Sequence, residues 1–272
     1  MRSHRRIFTT SITYISRMLI LRDRLLGRIR RGSIHDSPGA EVSRHSIPSG
    51  DNVLDAVLVK PADGAPKTVV LICHGIGEVV ERWFPVQQLL AANGAASLVF
   101  DYSGYGRSTG AVSVSQCELD AISAFEELER LMPGYPVSIV GFSLGSGIAA
   151  AIVNKVKAHR LVLCAAFTSL RAAACSGGLP KSLAFTMPHV WRTEESLIDC
   201  NVPVLIVHGE KDRLFPVWMA SELAARCHEN CELVMVPKLA HNEPFFRPTL
   251  EYWSLILSRL NPEEQKQPTP QK

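Results

Sequence analysis

Apolar positions along this chain fall in short continuous runs separated by amphipathic stretches. Thr68-Val69-Val70-Leu71-Ile72-Cys73, Val137-Ser138-Ile139-Val140, the stretch from Arg160 to Ala166 and the stretch from Val202 to Val207 are apolar at almost every position. A strand with one wet face alternates, whereas a strand covered on both faces does not, so these runs predict a parallel sheet with helices on either side. Val53 to Val59, Ala96 to Phe100 and Glu232 to Val236 complete the predicted strands. Helices are predicted from about Glu81 to Ala92, closed by Asn93-Gly94, and from about Ser115 to Leu131, where Ser115 and Glu118 have capping-box spacing and Pro133-Gly134 follows. Further helices are expected at Ser146 to Val153, near Val217 to Arg226 and from about Pro248 to Leu260. Alternation of strand and helix throughout predicts an α/β fold with a doubly wound, mostly parallel sheet.

The same pattern divides the chain. Residues 52–260 read as one α/β domain, interrupted at about 171–199 by an irregular stretch with Gly177-Gly178, Pro180 and Pro188 that is expected to form a short cap insertion. Residues 32–51, rich in Ser, Pro, Gly and His, read as a linker, and 261–272 as a polar, disordered tail. Residues 1–31 form a basic amphipathic extension: Ile12, Ile15, Leu19, Leu26 and Ile29 recur at helical spacing, with arginines between them. Such a segment suits a helix lying on an anionic membrane surface, and its Arg, Ser and Thr content equally suits organellar targeting. Its longest apolar run, Met18-Leu19-Ile20-Leu21, is too short to span a bilayer, so no transmembrane helix is expected. A cytoplasmic protein, touching a membrane peripherally through residues 1–31, is the expectation, with organellar targeting as the alternative.

Charge sharpens this division. The formal net charge is +3, yet residues 1–31 hold nine arginines against the single acid Asp23, which leaves 20 basic and 25 acidic residues for the rest of the 272-residue chain. A mildly acidic body has no nucleic-acid footprint. The seven cysteines form no C-x-x-C pair, and Cys73 and Cys164 sit inside strand-like runs, so free buried thiols are expected and neither a disulfide framework nor a metal site is.

The candidate chemistry falls in loops that follow strands, the edge where open α/β sheets bind ligands. Gly141-Phe142-Ser143-Leu144-Gly145 is a G-x-S-x-G turn between a predicted strand and a predicted helix, with glycines where the backbone is tight and the serine held exposed. A serine hydroxyl needs a base to take its proton during attack, and an imidazole needs a carboxylate to fix its tautomer. His241, beyond the last strand, is the candidate base. Asp212 is the candidate orienting acid, with Glu210 as competitor. Two prepositioned N–H donors are needed for the negative oxygen that develops: Leu144, just after the serine, and Ile76, in the glycine-flanked loop after Cys73. His74 and His208 read as structural strand-end residues, and His159, His189 and His228 lack companions that would make them ligands.

In this order, His74-Gly75, Asp101-Tyr102-Ser103-Gly104-Tyr105-Gly106-Arg107-Ser108, Gly141-Phe142-Ser143-Leu144-Gly145, His208-Gly209-Glu210-Lys211-Asp212 and the His241 loop resemble the α/β-hydrolase family over about residues 50–260. The Asp101-Tyr102-Ser103-Gly104-Tyr105-Gly106 stretch, together with Ala166-Phe167-Thr168-Ser169-Leu170 before a short cap, resembles its small-cap branch, which holds Bem46-like and serine-aminopeptidase-like hydrolases and protein depalmitoylases. The resemblance implies an α/β-hydrolase fold, a structural role for the Asp101–Ser108 loop, and hydrolysis of an ester, thioester or amide through an acyl-serine without a cofactor. One departure is that residues 1–31 lack the cysteine cluster of the depalmitoylases. Leu179, Leu183, Phe185, Met187, Val190 and Trp191 in the cap suggest an apolar acyl chain, so the expected partner is a small-molecule or lipid-like acyl ester or thioester. The alternatives are a peptidase or amidase with the same triad and a noncatalytic, membrane-recruited binding module.

Overall fold

Each continuous apolar run is a strand whose residues divide between two cores. In the computed structural model, which describes Ile34 and residues 38–227 and 230–261, strand β3 (Thr68–Cys73) sends Val69, Leu71 and Cys73 into one core and Val70 and Ile72 into the other. The remaining strands are β1 (Ala40–Ser49), β2 (Asn52–Pro61), β4 (Ala95–Phe100), β5 (Val137–Phe142), β6 (Leu161–Cys164), β7 (Val204–Gly209) and β8 (Cys231–Val236). They form one eight-stranded sheet in the order β1-β2-β4-β3-β5-β6-β7-β8. From β4 to β8 all neighbours are parallel, and β2 alone runs against the rest, pairing antiparallel with β1 and β4.

Helices α1 (Val80–Ala92) and α8 (Leu250–Leu260) cover one face, where Trp83, Phe84 and Leu90 meet Trp253 and Ile256. Helices α2 (Val114–Leu131), α3 (Leu144–Ile152) and α6 (Val217–Arg226) cover the other with Phe125, Leu128, Ile148, Met219 and Leu223. Burying each such side chain stabilises the fold by roughly 1.5–3 kcal/mol. The chain steps from β3 outward to β4 and then returns across β3 to β5. That reversal opens a crevice at the carboxyl ends of β3 and β5, where α/β sheets place their ligands.

Three sequence expectations need correction. Residues 32–51, read as a linker, contain β1, which pairs with β2 from Ala40 opposite Pro61 to Ser49 opposite Asn52. Gly50-Asp51 makes the two-residue turn, with Gly50 at φ +58°, and the strand is polar because it is an edge: Glu41, Arg44, Ser46 and Pro48 are exposed. Helix α2 begins one residue before Ser115, and its cap is Ser113, whose Oγ accepts from the Gln116 N–H at 3.1 Å. The stretch 171–199 is less irregular than its glycines and prolines suggest, holding the end of α4 (Leu170–Ser176), a 3₁₀ turn (Lys181–Thr186) and α5 (Thr193–Ile198). The short α7 (Glu243–Phe246) follows His241. The expectations for residues 1–31, for His228 and for the tail after Asn261 lie outside the described residues. Among the described residues no helix is long and apolar enough to cross a membrane.

Candidate active site

Ser143 stands between the end of β5 and the first residue of α3 with φ 52° and ψ −118°, a conformation a non-glycine residue holds only when its surroundings impose it. Its glycine neighbours show how. A Cβ on Gly145 would collide with the carbonyl oxygens of Cys73 and His74, and one on Gly141 with the Gly145 carbonyl and Ala149. The turn is thus pressed between β3 and its own helix. Ser146 Oγ donates to the Ser143 carbonyl at 2.7 Å and fixes the turn from inside.

Asp212 follows β7 in a turn that its own side chain closes: Oδ1 accepts from the N–H groups of Leu214 at 2.9 Å and Phe215 at 2.8 Å. His208 Nε2, the donor here, bonds the Phe215 carbonyl at 2.9 Å and steadies the same turn. Burial pushes the His208 imidazole below its usual range and keeps it neutral, as its strand-end role requires. His241 follows β8, its ring held between Phe142 at 5.7 Å and Phe215 at 5.1 Å between centroids.

The structure brings these three loops together. His241 Nδ1 lies 2.6 Å from Asp212 Oδ2, and His241 Nε2 lies 3.0 Å from Ser143 Oγ. A carboxylate only accepts hydrogen bonds, so Nδ1 carries the imidazole proton and Nε2 is left to accept from the serine hydroxyl. Burial pushes the Asp212 carboxyl upward, but the hydrogen bond and charge of His241 and the Phe215 N–H outweigh it, leaving Asp212 below its usual range and ionised. Glu210, its competitor, is exposed and its side chain takes no part.

The loop after β3 presses on the serine turn from the other side. Leu144 is the first residue of α3, so its N–H belongs to the helix turn without an intrahelical acceptor. Ile76 lies between Gly75 and Gly77, the latter at φ +70°. A residue that the sequence reading missed holds this loop. Glu78 is buried, and its Oε2 accepts from the Gly75 N–H at 2.7 Å and from Trp83 Nε1 at 2.9 Å, occupying the space a Gly75 Cβ would need. The available sign was an acid three residues past the strand-end glycine and just ahead of a helix.

His74 is structural, as expected. It is buried, its Nδ1 donates to the Gly75 carbonyl at 2.9 Å, and burial pushes it down to about 4. Its ring packs on Tyr102 and Tyr105, and its Nε2 is 3.8 Å from Asp101 Oδ1. Burial raises Asp101 to about 7 while it caps the Val80 N–H at 2.9 Å, which places the Asp101–Ser108 loop under α1 rather than among the reacting groups. Within residues 171–199, Met187 and Trp191 are buried and Leu179 and Val190 pack on the main core, whereas Leu183 and Phe185 face solvent. All seven cysteines are free thiols.

A sheet of this order, a strained serine at the β5–α3 turn and an imidazole–carboxylate pair beside it define an α/β serine hydrolase. Comparison with known proteins agrees: the serine aminopeptidase S33 family description matches residues 64–194. An uncharacterised protein of Mycobacterium tuberculosis is 29% identical over 216 residues, covering 73% of this chain and 77% of its own. The lysophosphatidylserine lipase ABHD12 of Danio rerio is 25% identical over 203 residues, and the match spans 66% of this chain but only 53% of that protein. An esterase of Pyrococcus furiosus superposes with a TM-score of 0.67 at 20% identity, over 85% of this chain and 95% of its own, and so shares the fold. The chain has the α/β-hydrolase fold and is similar to this family over the matched residues.

Proposed function

We propose that this chain cleaves a carboxylic ester or thioester with an apolar acyl chain through an acyl-serine on Ser143. The observation that carries this reading is the continuous hydrogen-bonded line from Ser143 through His241 to Asp212, at 3.0 and 2.6 Å. Ser143 Oγ attacks the acyl carbonyl while its proton passes to His241 Nε2, and the ionised Asp212 stabilises the imidazolium that results. The N–H groups of Ile76 and Leu144 receive the developing oxyanion. His241 then gives the proton to the departing alcohol or thiol, activates a water, and the acyl chain leaves as the acid. All of this uses side chains and backbone alone. A lipid-like substrate class is supported by the relative named a lysophosphatidylserine lipase.

Hydrolysis of acyl esters and thioesters from acetyl to palmitoyl tests the reading. Activity is expected in the wild type and is reduced by roughly 10⁴-fold or more in Ser143→Ala. Equal activity in both would remove Ser143 from the chemistry. The serine aminopeptidase description of the matching family favours a second reading, cleavage of an amide by the same three residues. Amino-acyl amides in the same assay separate the two.

A further inference from the structure

We propose that the rim around this site docks onto the surface of an anionic phospholipid bilayer. In this fold the loops after the strands, and the helices that start from them, share the sheet edge on which Ser143 and His241 lie. Among the described residues, the exposed aromatic side chains come from elements that follow strands: Phe185 (69% exposed) from the 3₁₀ turn between β6 and β7, Trp218 (52%) from the first turn of α6 after β7, and Phe246 (46%) from α7 after β8, five residues after His241. Leu183 and Leu250 are exposed beside them in sequence. Single exposed apolar residues are ordinary, but aromatic ones from three separate elements gathered at one edge mark a contact surface.

Charge selects the occupant. The stretches that form the rim, residues 170–193, 209–218 and 241–250, contain six Lys or Arg and three Asp or Glu, and one of those acids is the buried Asp212. Residues 170–193 contribute three cations and no acid, while Glu194, Glu195 and Asp199 lie in and just after α5, where Glu195 pairs with Arg192. Lys181, Lys211, Arg213 and Arg247 are exposed, and none of them is in the ion pairs among the described residues. Glu210 and Glu243 are the opposing charges, and Glu243 Oε2 is held by the Ala240 N–H at 2.7 Å. Aromatic rings interleaved with unpaired cations match the interface of a bilayer, where rings sit at headgroup depth and Lys and Arg meet lipid phosphates and carboxylates. Docking there would set the crevice against the layer that holds acyl lipids. The surface itself stands apart from the identity of the nucleophile.

The tryptophans provide the test. Trp83, Trp191 and Trp253 are 0%, 6% and 2% exposed, so Trp218 is the solvent-facing indole. The full chain is titrated with vesicles of equal parts phosphatidylserine and phosphatidylcholine, with and without bromine-labelled acyl chains, while emission and co-sedimentation are followed. The expected result is binding with a blue shift and bromolipid quenching that both vanish in Trp218→Phe, and Ser143→Ala behaving as wild type. Phe185→Ser, and Lys181→Ala combined with Arg247→Ala, each weaken binding by roughly tenfold. High salt weakens it as well. Sedimentation without any change in Trp218 emission would place the contact elsewhere, for instance on residues 1–31, and overturn the proposal. Absence of binding at low salt, or quenching that persists in Trp218→Phe, would do the same.

Discussion

Ser143, Asp212 and His241 are each ordinary residues made unusual by what touches them. The strain at Ser143 is maintained by carbonyl oxygens packed where Gly145 has no side chain, and, against the upward push of burial, Asp212 is held below its usual range by the His241 imidazole and the Phe215 N–H. These three were legible in the sequence because each follows a strand and its type suits one step of acyl transfer. Asp212 was preferred over Glu210 from sequence although both lie within the same five-residue stretch, and Asp212 is the one within hydrogen-bonding distance of His241. His74 and Asp101 present a different balance. His74 is pushed from 6.5 to about 4, so the unfolded chain takes up a proton that the folded one refuses, and stability falls as pH drops through that window. Asp101 is raised from 3.8 to about 7, so the folded chain holds its proton more tightly and stability falls as pH rises through that window. The two contributions oppose each other, with Glu81, Asp55 and Arg107 acting on Asp101 from nearby. Asp101→Asn keeps an acceptor for the Val80 N–H but removes one side of the balance. Relative to wild type, the variant should lose about 3 kcal/mol more stability between pH 7 and pH 4, measured by urea denaturation at each pH. An unchanged pH dependence would show that the pair does not titrate in this way.

At the scale of elements, the continuous runs reveal the strands buried on both faces, and polarity hides the one that is not. Strand β1 has an edge and a partly wet face, so its pattern resembles a linker. Its sign was the Gly50-Asp51 pair, a two-residue hairpin turn that joins it to β2. The order within 171–199 was hidden for the opposite reason, because glycine and proline lie at or between its short helices rather than marking an absence of structure. The loop after β3 was expected to be an N–H donor loop, but what holds it was not legible, since the Glu78 contact with Trp83 depends on where α1 packs. Glu78 therefore serves as a positioning residue. Glu78→Ala is expected to lower kcat by roughly 10–100-fold with KM little changed, because the Ile76 N–H loses its aim only where the oxyanion forms. Glu78→Gln, whose amide oxygen can accept from both Gly75 and Trp83, should recover most of kcat. A KM effect in both variants, with kcat intact, would reduce Glu78 to a packing residue.

Over the whole molecule, the sheet carries residues 98 and 29 positions apart in the chain to one edge and holds them within hydrogen-bonding distance. The same edge gathers the exposed aromatic residues and unpaired cations of the rim. Doubly wound order was legible from alternation alone, and the position of the crevice followed from it. The exposure of Leu183 and Phe185 was not, because an apolar residue in a cap looks the same in sequence whether it packs inward or faces outward. The measurement that reaches the central claim most directly is mass spectrometry of the chain after reaction with a fluorophosphonate, an electrophile that phosphonylates an activated serine. A single adduct on the peptide containing Ser143, absent from Ser143→Ala and strongly slowed in His241→Ala, is the predicted result. An adduct on another serine, or ester hydrolysis that persists in Ser143→Ala, would contradict the assignment of Ser143 as the nucleophile.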